Sequence, residues 1–163
     1  MAKLVAMNNP YNTNLDRNPA NFQPLTPLTF LERAASVYPN HTAIVHGKLR
    51  RNYSDFYSRS RQLASALSKQ GIARGDTVSV ILSNTPAMLE AHYGVPMCGA
   101  VLHSINTRLD PDTIAYQLDH ANSRALIVDR EFLKTAKTSL ELAGVSPILI
   151  EFNDSEYPIK ESL

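Results

Sequence analysis

The chain has 163 residues, and its 16 Lys and Arg against 15 Asp and Glu leave a formal net charge of +1, too little to draw it to nucleic acid or an anionic bilayer. Hydrophobic residues at 44% and charged residues at 19% fit the globular class, and the length suits one domain around one core. A single cysteine, Cys98, excludes an internal disulfide framework; inside an apolar run it reads as a buried thiol of a reducing compartment. No stretch approaches the roughly 20 apolar residues of a membrane helix, and Met1 to Phe22 has too many asparagines and prolines for a secretory core. The expectation is an intracellular protein, in which the Asn40-His-Thr, Asn52-Tyr-Ser and Asn153-Asp-Ser sequons are chance. The terminal Glu161-Ser-Leu163 shares only its last residue with a peroxisomal Ser-Lys-Leu tripeptide.

In chain order, residues 1–25 lack periodicity and carry turn formers from Asn8 to Pro24, which reads as a flexible arm. Pro27 is tolerated in a first helical turn, Thr29 and Glu32 have capping-box spacing, and Phe30, Leu31, Ala34, Ala35 and Tyr38 supply an apolar face before Pro39. Thr42–His46 and Arg50–Tyr53 around Gly47 read as a short hairpin. Ser54 then caps an amphipathic helix with Phe56, Leu63 and Leu67 inward and Arg59, Arg61 and Lys69 toward water, ending at Gly71. Thr77–Leu82 is a continuous β-branched apolar run, too apolar for a strand with one wet face, and so belongs inside a parallel sheet.

Asn84 or Thr85 opens a largely buried helix through Met88, Leu89, Ala91, Tyr93, Val95 and Met97, where Pro96 predicts a kink or an end near Gly94. Ala100–Ile105 is the next strand, and Asp110-Pro111-Asp112 has the residue order of a helix start, with Ile114, Ala115, Leu118 and Ala121 inward. Ala125–Val128 is a strand, Glu131–Leu142 a helix and Ser146–Glu151 a last strand. This alternation predicts an α/β fold, a layered parallel sheet flanked by helices with a short hairpin before it. Residues 153–163 offer no core and read as a loose tail.

A doubly wound sheet invites a nucleotide site, but the 6 glycines form neither Gly-x-Gly-x-x-Gly nor Gly-x-x-x-x-Gly-Lys-Ser/Thr. Gly71 and Gly75 flank a turn in which Asp76 is a turn residue. His41, His46, His92, His103 and His120 lack metal-site spacing; His92, on the apolar helix, reads as a core imidazole bonded to a backbone carbonyl. No serine sits in a Gly-x-Ser-x-Gly elbow, and Arg50-Arg51 with Arg59 and Arg61 reads as a solvated basic face. No residue is assigned a catalytic, cofactor-binding or metal-binding role.

Two motifs carry a family resemblance: Asn52-Tyr53-Ser54-Asp55-Phe56 opening a helix, and Gly94 through Leu109, with Gly99-Ala-Val and Asn106-Thr-Arg-Leu109. In order and spacing they resemble the amino-terminal lobe of AMP-binding, adenylate-forming enzymes, nearest to plant-type acyl-activating enzymes and short- or medium-chain acyl-CoA ligases. The resemblance spans about 24 to 152, which puts a partial synthetase subdomain at 26–152. It implies a family reaction in which ATP and magnesium activate a fatty or aromatic carboxylic acid to an acyl-adenylate that is passed to coenzyme A. The family's Ser/Thr/Gly-rich loop ending in Pro-Lys-Gly, its Thr-Glu pair, ribose-binding Asp and mobile-domain lysine have no counterpart here, and Lys134 and Lys137 lie on a helix without glycine. The resemblance therefore implies an incomplete lobe, with Met88 to Val101 as structural core, inactive alone and holding no cofactor. The alternatives are a module pairing with a full-length synthetase and a flavodoxin-like small-molecule-binding domain. The compartment expected is cytoplasmic or peroxisomal, and an uncovered sheet surface predicts self-association.

Overall fold

The computed structural model describes residues 16–160, so the expectations for residues 1–15 and for Glu161-Ser-Leu163 lie outside the described residues. From Asp16 to Leu25 the chain is exposed and holds neither helix nor strand. Helix α1, Pro27–Val37, has Pro27 in its first turn, but its cap position is Thr26. Thr29 Oγ1 donates to Thr26 O at 2.9 Å, so no capping box with Glu32 forms. Leu31 is the residue α1 buries, in a small cluster with Ile44 and Phe56, whereas Phe30 is 59% exposed and Tyr38 also faces outward.

Strands β1, Thr42–His46, and β2, Leu49–Asn52, form the expected antiparallel hairpin. Gly47 turns it with φ at 52°, and a Cβ there would lie 2.9 Å from Glu156 Oε2 and 3.0 Å from the Tyr157 hydroxyl. Helix α2, Tyr53–Lys69, follows β2 without a loop. The last extended residue, Asn52 and not Ser54, is its cap, accepting the Asp55 N–H at 2.8 Å.

The second sheet is parallel, in the order β4-β3-β5-β6. Its strands are β3, Thr77–Ile81; β4, Val101–Ser104; β5, Ser123–Asp129; and β6, Ile148–Phe152. The connecting helices are α3, Pro86–Met97; α4, Pro111–His120; and α5, Leu133–Leu142, the last preceded by a 3-10 turn at Arg130–Phe132 where continuous helix was expected. Side-chain alternation in β3 divides the core. Val78, Val80 and Leu82 meet Leu67, Ala91 and Val95 of α2 and α3, while Ile81 meets Ile114, Leu118 and Ala136 of α4 and α5. The connection from β3 to β4 runs one way along the sheet and that from β4 to β5 runs back, so crossovers of one hand place their helices on opposite faces.

Helix α3 is less buried than its composition predicts: Ala91, Gly94 and Val95 are sealed, but Leu89 is 45% exposed and His92 also faces outward. Gly94 permits its approach to α2, since a Cβ there would come within 2.9 Å of Leu63 Cδ2 and of Ser60 O. The end expected near Gly94 comes at Met97, so the helix runs one residue past Pro96, whose missing donor costs it one hydrogen bond. Cys98 is only half-buried, its thiol donating to Val95 O at 3.1 Å.

The loose tail expected after Phe152 is corrected over its described part. Asp154 is buried and lies 2.6 Å through Oδ2 from His46 Nε2, while Glu156 accepts the Lys48 N–H at 2.7 Å. The Tyr157 ring packs edge-on against His46, and Asn153 closes a loop by bonding both the N–H and the C=O of Ile159. Polar and aromatic side chains, not an apolar stripe, seat residues 153–160 on the hairpin.

Candidate functional site

In open parallel sheets, ligands sit beyond the carboxyl ends of the strands, where neighbouring connections diverge. Here that place is the border of β3 and β5. The loop after β3 brings Ser83, Asn84 and Thr85 there, and the end of β5 brings Asp129 and Glu131. Ser83 Oγ donates to Glu131 Oε2 at 3.2 Å, and Asp129 Oδ1 accepts the Glu131 N–H at 3.2 Å. Burial pushes the Asp129 carboxyl above its ordinary range, partly opposed by that N–H and helped by the charges of Glu131 and Asp154.

Three polar ties link neighbouring elements of the fold. The carboxylate of Glu90 is buried in α3 and takes Arg51 from β2 and Arg59 from α2, with Arg59 Nε at 2.6 Å from Oε1. Arg50 instead donates to the carbonyls of Gly47 and Leu49, and the Arg61 guanidinium lies 5.6 Å from the Tyr57 ring centre. Arg50, Arg59 and Arg61 are exposed, as expected of a solvated basic face, while Arg51 is drawn inward and shares the Glu90 carboxylate with Arg59. The signal that reveals this sharing is Glu90 itself, a carboxylate in an otherwise apolar helix, which burial obliges to find cations.

The His46–Asp154 pair is the second tie. Burial raises the Asp154 carboxyl, but the Glu156 N–H together with the hydrogen bond and charge of His46 outweigh it and hold the group below the ordinary carboxylate value. The third runs across the parallel sheet. Ser79 Oγ, fully buried in β3, lies 2.9 Å from His103 Nδ1 of β4 and 2.6 Å from Ser123 Oγ of β5. Burial, and then the charge of His120, lower the affinity of His103 for a proton. Ser79 is sealed, and the ladder ties together the three neighbouring strands β4, β3 and β5. His92 has the expected carbonyl partner, Met88 O at 2.8 Å, but on an exposed ring.

Neither a cluster of metal-ligating side chains nor a glycine cradle is found among the described residues. No group of three His, Cys, Asp or Glu side chains among them could hold a metal ion, and Arg51 and Arg59 are engaged by Glu90. The glycines with positive φ, at 47, 71, 75 and 99, stand singly in turns and do not build a phosphate cradle. No helix of the described residues is long and apolar enough to cross a membrane.

Comparison with known proteins gives these observations a family. The profile described as "AMP-binding enzyme" matches residues 31–161. The chain is 47% identical over 148 residues to a peroxisomal acetate/butyrate–CoA ligase of Arabidopsis thaliana, an alignment covering 86% of this chain and 26% of the relative. It is 49% identical over 123 residues to a peroxisomal trans-cinnamate:CoA ligase of Petunia hybrida, covering 76% of this chain and 22% of that protein. Among solved structures, a benzoate CoA ligase from Burkholderia xenovorans superposes with a TM-score of 0.72 at 26% identity, covering 81% of this chain and 26% of that one. The chain thus spans about a quarter of the length of the curated relatives it matches. On the matched profile, the identities and the shared fold, it belongs to the AMP-binding enzyme family, among the acyl-activating CoA ligases.

Proposed function

We propose that this chain supplies the supporting sheet of an adenylate-forming acyl-CoA ligase and does not carry out ligation by itself. The family reaction joins a carboxylic acid to coenzyme A through an acyl-adenylate made from ATP. The acid is fatty or aromatic. The observation that carries the reading is the pairing of a shared fold with the absence, among the described residues, of any preorganised cradle for a transferring phosphoryl group. The names of several relatives include the word peroxisomal, which supports a peroxisomal or cytoplasmic setting. The test is an acyl-adenylate assay on the purified chain with ATP, magnesium and acetate, butyrate or benzoate. No acyl-hydroxamate above a no-protein blank is expected, and turnover proportional to chain concentration would refute the reading.

A second reading, pairing with a full-length synthetase or with another copy, is supported by the sheet edges. Val101 on edge strand β4 is exposed, as are Ile148 and Leu149 on edge strand β6. Light scattering over a concentration series is expected to show mass rising above 18.1 kDa; a constant monomer would remove self-association.

A further inference from the structure

We infer that the cleft between the hairpin and α3 binds an uncharged, mostly apolar small molecule bearing a carboxamide. The cleft has a volume of about 700 Å³, within the range of small-molecule sites, and lies at the carboxyl ends of β3 and β4. Ile44, Val45, Met88, Leu89 and Tyr93 form its apolar walls. Thr85 stands on its wall as the cap residue of α3, 8% exposed, and its Oγ1 is the one buried side-chain polar atom among the described residues with no hydrogen-bond partner. A cap threonine normally spends its oxygen on a first-turn N–H, but this one makes no such bond. The hydroxyl thus stands unpartnered on a residue that lines the cleft, and a ligand seated there supplies the hydrogen bond that the fold does not.

The remaining polar groups choose the ligand. Asn84 and Ser104 offer an amide and a hydroxyl, and His92 donates through Nδ1 to Met88 O, which leaves Nε2 facing outward from that bond. Together with the positive end of α3 they favour an oxygen acceptor joined to an N–H donor. A carboxylate is disfavoured: no Lys or Arg lines the cleft, and behind His46 on its wall stands the Asp154 carboxylate, 2.6 Å away. The assignment is independent of the ligase reading, whose acids carry a charge.

The test is a titration of the full chain with benzamide, hexanamide and benzoate, followed by amide NMR shifts, using the chain itself and Thr85→Val, Leu89→Arg and Tyr116→Ala. The amides are expected to bind with dissociation constants of about a millimolar, in keeping with the efficiency of small ligands, and to shift residues 44–46, 84–93 and 104. Thr85→Val keeps side-chain shape and loses no existing hydrogen bond, so it should fold normally and bind about fivefold more weakly. Leu89→Arg, at an exposed wall position, should bind at least about tenfold more weakly, and Tyr116→Ala, exposed on α4, should bind unchanged. Benzoate binding tighter than benzamide, shifts centred elsewhere, or full amide binding by both Thr85→Val and Leu89→Arg would each overturn the assignment.

Discussion

The parallel sheet and the corner where the hairpin meets α3 and the tail are stabilised by different physics. In the sheet, Val78, Val80, Leu126 and Val128 are sealed by helices on both faces, so burial of apolar area dominates and any residue of similar volume serves. At the corner the joints are charges and hydrogen bonds: Glu90 with Arg51 and Arg59, and Asp154 with His46. Such joints are specific in geometry and fail when one partner is removed. The sheet is tolerant of sequence and the corner is not.

Substitutions at the two places sharpen that contrast. Leu118→Ala, in the sealed face under α4, should cost about 3 kcal/mol through lost transfer energy and a cavity, whereas Leu118→Met should cost less than about 1.5 kcal/mol; urea unfolding measures both. Glu90→Ala should cost about 3 kcal/mol by leaving two arginines facing a partly buried gap. Here the near-isosteric Glu90→Gln should recover only part of the loss, because shape without charge does not satisfy a guanidinium. Equal recovery by the conservative variants at both positions would erase the distinction. Asp154→Asn should cost about 1 kcal/mol and free the tail, seen as faster proteolysis near residue 156 with the sheet unchanged. Acid should do the same: the Asp154 carboxyl is held below its unfolded value, so its contribution is complete above that value and is lost as pH falls through the folded one.

The smallest effect expected lies inside the sheet. Burial keeps His103 from taking up a proton that the unfolded chain accepts at its ordinary value of 6.5, so stability is retained above that pH and declines as pH falls below it. His103→Gln should flatten the decline in stability below pH 6.5, and an unchanged slope would show that the histidine is not its source.

The same division governs what can be read from the sequence. The β-branched run of β3, the Asp110-Pro111 start of α4 and the stripe through Ile114 and Leu118 are local patterns of period 2 or 3.6, and each appears where the pattern puts it. Local ambiguity accounts for smaller differences. Asn52 and Ser54 are both good caps, and only the absence of a loop after β2 selects Asn52. Phe30 fits an apolar face by spacing, yet α1 lies at the margin of the fold and buries just one turn's worth of that face. The corner was illegible because its pairs are remote in sequence: Arg51 and Glu90 are 39 positions apart, and His46 and Asp154 are 108 apart. A buried carboxylate announces that it needs a cation but not which one. The polarity of residues 153–160 likewise signals a solvated tail until the hairpin that binds it is placed.

We propose that this fold provides support and no clamp for a triphosphate. Calorimetric titration of the chain, freed of contaminating synthetases, with ATP and magnesium tests it most directly. Heats indistinguishable from dilution are expected, and a saturable isotherm approaching one nucleotide per chain would contradict the claim.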